Sequence, residues 1–369
     1  MQVIHVASTA VSLEKFVVPL LPAMDAFGLS SVLATSPHDL HRLNHMNWPV
    51  LNLGIGRGWK ILKGYVSAKS NTELLLSSRP DAVVIHTPAT ALSARRSLQA
   101  LSSQGVPLFY IARGSLHESD SVLTRLVWKA LNPLNWRLWT GVMVVSKWLE
   151  AEARRGSPHR PMMRVSLSAA QPNVPHAPSS DSTEVFTPAT KIRLGWVGRF
   201  DSDKHPEHMS ELIEILERDF GIEAEGVMMG GHIDGDRRRN FRVHPRIEVL
   251  GWVDHPSSVL AKCDMNIMTS AREGYALGPL EAALVGTPTV AYRNSGTSES
   301  IPDVGGILVT ARDVHGLASA VFQYANLSLE RKQEWRRNVR GLGVSMAKTS
   351  DPAAEMCHFI RTCVTDRIS

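Results

Sequence analysis

Apolar residues in the first half of the chain fall in short unbroken runs, at residues 3–7, 31–34, 50–53, 82–86, 108–112 and 142–145. The second half repeats the plan at 192–197, 226–229, 247–250, 265–269, 289–291 and 306–309. Between several of these runs the apolar spacing becomes helical, as at 92–101, 207–219, 279–285 and 314–325. Continuous apolar strands that alternate with amphipathic helices predict parallel sheets covered on both faces. Residues 170–190 interrupt the pattern with a stretch rich in Pro, Ser and Thr, the composition of a linker. The fold class expected is α/β, with two Rossmann-like, doubly wound domains that face each other across a cleft. Ligands of such sheets sit at the carboxyl ends of the strands.

A length of 369 residues agrees with two domains rather than one. With 43% hydrophobic and 20% charged residues, disordered, collagen-like and disulfide-framework chains are excluded. No run approaches the ~20 apolar residues of a membrane span, and the start, MQVIHVAS, lacks the pattern of a signal peptide. Cys263, Cys357 and Cys363 are odd in number and lack metal-type spacing, which points to a reducing cytoplasm. Charge adds an asymmetry. Residues 1–180 carry 18 Lys+Arg against 9 Asp+Glu, a net of +9, and the remainder carries 22 against 26, a net of −4. The basic half favours an anionic partner: a membrane surface, a nucleic acid or a phosphorylated substrate.

Candidate chemistry concentrates in the second half. In SAREGYALGPLEAALVGTPTVAY, residues 270–292, an apolar strand turns through Gly274 into a short helix. Pro279 suits the first helical turn and Gly286 the helix stop. Glu273 then lies at a strand end and Glu281 on the helix, while the amides of Tyr275, Ala276 and Leu277 form an anion site at a helix N-terminus. Two carboxylates around an anion site suit a ligand with hydroxyls on either side of phosphates, the layout of a nucleotide sugar. In GWVGRFDSDKH, residues 195–205, Arg199 and Lys204 follow a strand end. Together they can neutralise a diphosphate and hold its charge as it leaves.

These motifs, in this order, resemble the donor-binding domain of retaining GT-B glycosyltransferases, specifically glycosyltransferase family 4. The resemblance runs from about Ile192 to Val309 and takes in Gly198, Arg199, Lys204, the glycines at 230 and 231, IEVLGWV, the Glu273-x7-Glu281 motif, GTPTVAY and SGTSESI. It implies that Glu273 contacts the donor sugar near the reacting carbon and that Glu281 holds the ribose. Arg199 and Lys204 would bind the diphosphate, with Gly274, Tyr275, Ala276 and Leu277 around it. Ala276 and His205 stand where the family usually has glycine. The first half matches less closely. Its loop after the first strand, ASTAVSLEKF, has no glycine, although Ser8, Thr9 and Ser12 could line the cleft. The family's active-site His is replaced in IARGSLHE, where Arg113 or His117 faces the reacting sugar.

By the same resemblance, residues 1–180 bind the acceptor, 181–350 the UDP- or GDP-sugar donor, and a helix over 351–369 crosses back onto the first domain. The implied reaction retains anomeric configuration and uses no cofactor and no metal. The implied acceptor is a lipid-linked saccharide, such as a polyprenyl-diphosphate-linked one, or a growing saccharide of a bacterial surface polysaccharide. The place of action is cytoplasmic, peripheral on the inner face of the plasma membrane. Two other readings stay open: a GT-B nucleotide-sugar epimerase or hydrolase, and a non-catalytic GT-B binding subunit.

Other signals weigh less. His38, His41 and His45 share a face only if helical, and no carboxylate or Cys completes a metal set. GIGRG at 54–58 lacks the dinucleotide fingerprint and reads as a flexible loop near the acceptor. Arg237–Arg239 with Arg242 reads as a solvated face, so nucleic acid is not expected. In residues 127–148, Trp128, Trp136, Trp139 and Trp148 alternate with Lys129, Arg137 and Lys147. That mixture suits an anionic bilayer surface as well as a packing helix.

Overall fold

The computed structural model describes residues 1–56, 61–114, 126, 138–165, 191–231, 241–349 and 351–366. The chain divides into two compact units, Met1–Pro172 with Ser350–Ser369, and Asn173–Thr349. The linker stretch at 170–190 lies outside the described residues.

In the first unit seven strands form one parallel sheet: β1 (Gln2–Val6), β2 (Ser30–Thr35), β3 (Val50–Asn52), β4 (Ala82–Ile85), β5 (Leu108–Ala112), β6 (Gly141–Val144) and β7 (Met162–Arg164), in the order β3-β2-β1-β4-β5-β6-β7. In the second unit β8 (Ile192–Val197), β9 (Ala224–Met229), β10 (Ile247–Gly251), β11 (Met265–Met268), β12 (Thr289–Tyr292) and β13 (Ile307–Val309) form a parallel sheet in the order β10-β9-β8-β11-β12-β13. Both are doubly wound, since each order reverses direction beside its first strand. The expected two-domain α/β class is the one found.

Every strand expected from an apolar run forms within about two residues of its expected ends, and the central ones, such as β1, β4, β5, β6 and β12, are buried on both faces, which leaves a continuous signal. β7 gave no such signal: it is three residues long, two part-buried methionines and the exposed Arg164. The helix expected at 92–101 is two helices, Pro88–Ser93 and Arg95–Ser103, broken at Ala94. His38 and His41 lie in the 3₁₀ segment Pro37–Arg42, which ends before His45, so the three imidazoles share no α-helical face.

The helix Pro352–Thr365 packs onto the first unit. It buries Met356, Cys357, Ile360 and Cys363, and sets the Phe359 ring edge-on to Phe109 at 6.0 Å between centroids. Core packing in the second unit is continuous from Leu194, Trp196, Met228 and Ile267 to Leu317 and Val321 of the helix Val314–Ala325. It holds the carboxyl ends of β8 and β11 on a rigid base.

Candidate functional site

β8 and β11 are paired neighbours, with Met265 opposite Leu194 and Asn266 opposite Gly195. Their following loops, residues 198–205 and 269–277, therefore leave the same sheet edge side by side. Buried Trp196 donates its indole N–H to Thr269 Oγ1 at 2.8 Å, and the Thr269 hydroxyl donates to the Lys204 carbonyl at 2.5 Å. The Ala271 amide donates to the Asp203 carbonyl at 2.8 Å. Lys204 Nζ pairs with Glu273 Oε1, and Arg272 Nη2 with Asp203 Oδ2. Arg199 Nη1 lies 2.9 Å from Asp201 Oδ2 on the same loop.

Sequence reasoning thus placed Arg199, Lys204 and Glu273 on the correct loops, and the structure joins Lys204 to Glu273 directly. It overlooked Asp203 and Arg272. Burial works to raise the Asp203 carboxyl, but the bonded Arg272 guanidinium, with Arg199 and Lys204 nearby, overrides it and holds the group below the usual carboxylate range. Asn294 was overlooked as well. Its amide donates to the Ser270 carbonyl at 2.9 Å, and its Oδ1 accepts from the amides of Gly296 and Thr297 at 3.1 and 3.0 Å. Gly296 is thereby seated against Glu273, where a Cβ would lie 2.6 Å from the Glu273 carbonyl oxygen.

Gly274, Tyr275, Ala276 and Leu277 lead into the helix Gly278–Leu284, with Pro279 and half-buried Glu281 in its first turn. Ala276 is 1% exposed, so its methyl packs into the fold. Tyr275 directs its hydroxyl away to Asp303 Oδ2 at 3.1 Å. Gly230 closes the neighbouring edge with φ +129°, and a Cβ there would lie 1.8 Å from the Gly198 carbonyl oxygen. His205 adopts φ +44°, the left-handed region that glycine tolerates best, which explains the residue usual at that position in the resembled motif.

His205, Glu207 and His208 bring ligand-type atoms within 4.8 Å of one another. The His205 and His208 rings stack with a 7° interplanar angle, so their in-plane lone pairs run side by side instead of converging on one point. The Tyr292 hydroxyl lies 2.9 Å from His208 Nδ1, and His205 Nδ1 lies 3.0 Å from Glu207 Oε1. A hydrogen-bonded network accounts for the cluster better than a metal centre.

In the first unit Arg113 follows β5 at the carboxyl edge of the sheet. Its guanidinium stacks on Phe16, with Cζ 4.4 Å from the ring centroid, and its Nη2 donates to the Phe16 carbonyl at 3.3 Å. Nη2 also makes a long 3.5 Å contact with His86 Nδ1, and His86 Nε2 lies 3.0 Å from His5 Nδ1. Arginine only donates, so His86 Nδ1 accepts, and the proton on its Nε2 goes to His5. Arg113 Nε and Nη1 are buried without an acceptor among the described residues, and burial pulls the guanidinium down to about 9. Burial, then Arg113, lowers His5 to about 3, and burial, Arg113 and His5 lower His86 well below the imidazole range.

His117, Trp128, Lys129, Trp136, Arg137 and Arg237–Arg239 lie outside the described residues. Trp139 is a core residue, 1% exposed and stacked on Tyr110 at 5.1 Å. All three cysteines are free and buried. Among the described residues, no helix is long and apolar enough to cross a membrane.

Residues 191–326 match the family model described as glycosyl transferases group 1. The lipopolysaccharide core biosynthesis glycosyltransferase LpsE of Rhizobium meliloti is 30% identical over 151 residues, which is 39% of this chain and 42% of LpsE. A glycogen synthase of Mycobacterium tuberculosis is 31% identical over 136 residues, 35% of this chain and 32% of that enzyme. The matched stretch therefore spans less than half the length of these curated relatives. Among solved structures, sucrose-phosphate synthase of Thermosynechococcus elongatus has the same fold, with a TM-score of 0.76, 16% identity and 99% of each chain covered. Anabaena HepE, solved with UDP-glucose, follows at a TM-score of 0.72 and 16% identity, covering 99% of this chain and 100% of that one. The fold is thus the GT-B one of these solved structures, and residues 191–326 match the group 1 glycosyl transferase model.

Proposed function

We propose that the chain is a retaining glycosyltransferase that moves a sugar from a UDP- or GDP-sugar to a saccharide acceptor. The observation that carries the reading is the meeting of Lys204 and Glu273 beside Arg199 at one sheet edge, inside the family-matched region. A carboxylate held there by a lysine suits the hydroxyls of a donor sugar, and the cations suit its diphosphate. As the bond from the anomeric carbon to the diphosphate oxygen breaks, Arg199 and Lys204 balance the charge gained by the leaving group. The acceptor oxygen bonds to the same face of that carbon, and its proton passes to the departing phosphate oxygen. The scheme assigns charge balance to these two side chains and not to a metal. Glu281 holds the ribose, and the amides of Tyr275 to Leu277 add phosphate contacts.

The structure of HepE with UDP-glucose supports a uridine nucleotide as donor. LpsE, a lipopolysaccharide core enzyme, supports a lipid-linked or growing surface saccharide as acceptor. The net +9 of residues 1–180 supports work at the inner face of an anionic membrane.

Thermal-shift screening with UDP-, GDP- and dTDP-sugars tests the donor, since a ligand of the native state raises the melting temperature by mass action. With the stabilising donor, transfer to a polyprenyl-diphosphate-linked saccharide that persists in EDTA is the expected result. Donor consumed equally fast without acceptor would support an epimerase or hydrolase instead, and no nucleotide binding would support a non-catalytic subunit.

A further inference from the structure

The loop after β8 carries Asp203-Lys204, and the loop after β11 carries Arg272-Glu273. The structure pairs them crosswise: Asp203 with Arg272, and Lys204 with Glu273. Each loop thus presents one anion beside one cation, in opposite order. A slip of one residue between the loops would set Lys204 against Arg272, or Asp203 against Glu273, and like charges would meet. The paired register is the one in which both contacts attract.

We propose that Asp203 and Arg272 are positioning residues: a second ion pair that sets the register of the two loops and so fixes where Lys204 and Glu273 stand for the nucleotide sugar. The inference rests on the donor reading given above. Three observations support it. The Asp203–Arg272 side chains are 20% and 22% exposed, close to the 16% and 17% of Glu273 and Lys204, so both pairs are largely screened from solvent. The Ala271 amide to Asp203 carbonyl bond, 2.8 Å, locks the backbone in the same register beside the pair. Thr269, bonded to both Trp196 and the Lys204 carbonyl, ties that register to the core.

The test has a structural arm and a functional arm. In the first, hydrogen exchange of residues 199–205 and 269–275 is followed in the wild type, Asp203→Asn, Arg272→Gln, and the charge-swapped double variant Asp203→Arg/Arg272→Asp. Both single variants should exchange faster in both segments while β9 and β12 stay protected, and the swap should restore protection. In the second, UDP-glucose and GDP-mannose serve as donor probes, with calorimetry for affinity and steady-state rates for turnover. Arg272→Gln should lower kcat/KM about 10- to 100-fold, Arg272→Lys should recover part of it, and the swap should exceed either single variant about tenfold. Wild-type exchange and rates in Arg272→Gln, or a swap no better than the worse single variant, would overturn the proposal. A wild type that binds neither probe removes the donor reading, while the exchange arm still decides whether the crossed pairs set the register.

Discussion

Lys204 and Glu273 neutralise each other across two loops that leave neighbouring strands, each side chain less than one-fifth exposed. The pair gives both residues a structural part as well as a chemical one. Lys204→Met leaves a largely buried carboxylate with its lysine gone. A fully buried ion in that position costs about 3–5 kcal/mol, and partial screening reduces the cost to about 1–2 kcal/mol. Urea unfolding of Lys204→Met, Glu273→Gln and the double variant should show the double variant less destabilised than the sum of the singles, with a coupling of about 1 kcal/mol. Additive losses would mean that the two charges do not interact. For transfer each single variant should lose about 100-fold or more, since loss of one stabilising contact to developing charge costs about that much.

Gly296 supplies a way to move Glu273 without changing a charge. A methyl at 296 meets the Glu273 carbonyl oxygen and carbon at 2.6 and 2.7 Å, closer than real contacts allow. Asn294 holds the 296–297 amides in place, so the Glu273 loop is the side that yields. Overpacking of this kind costs about 1–3 kcal/mol. Gly296→Ala should remain folded by circular dichroism, with transfer falling about 10- to 100-fold in line with misplacement of a reacting group. Unchanged kinetics would show that the loop at 273 tolerates the shift.

The architecture was legible because its central strands are buried on both faces and so appear as unbroken apolar runs, as at Val3–Val6, Ala82–Ile85 and Thr289–Tyr292. Arg199, Lys204 and Glu273 were legible as candidates because each lies on the loop that follows such a run. Asp203 and Arg272 were not, although the complementary dipeptides Asp-Lys and Arg-Glu stood in plain view. Their meaning depends on β8 pairing with β11 across 70 residues of sequence. Asn294 was hidden in the same way, because its bond to the Ser270 carbonyl depends on β12 lying beside β11. His86 and His5 read as strand residues, and only the order β1-β4-β5 brings them to Arg113.

Ile360 lies at 0% exposure on the helix Pro352–Thr365, which packs with the first unit although it follows the second in sequence. Removing three carbons from a buried Ile and leaving a cavity costs about 2–5 kcal/mol. Ile360→Ala should therefore lower the melting transition of the first unit, with little effect on nucleotide affinity in the second. The free thiols of Cys357 and Cys363 report the same event. Burial pushes both up to about 11, and a thiol reagent should reach them only when this helix detaches. Faster labelling of the Ile360→Ala variant at unchanged pH is the expected result, and equal labelling rates would place the helix outside the cooperative unit.

Acid should destabilise the first unit through His5 and His86. Both imidazoles are held neutral, His5 down to about 3, while the unfolded chain takes up protons near 6.5. Between those values the unfolded state binds more protons than the native one, so stability rises with pH and is lost as pH falls from about 6.5. The slope is about 1.4 kcal/mol per pH unit for each histidine that stays neutral. Arg113 is the second cause of both shifts after burial, so in Arg113→Met the native imidazoles take up protons at a higher pH and the loss of stability levels off sooner on the acid side. Denaturation curves from pH 7.5 down to 3.5 should fall alike just below 6.5, with Arg113→Met levelling off first. Curves that stay parallel down to pH 3.5 would mean that burial alone sets the two imidazoles and that the guanidinium stacked on Phe16 does not govern their charge.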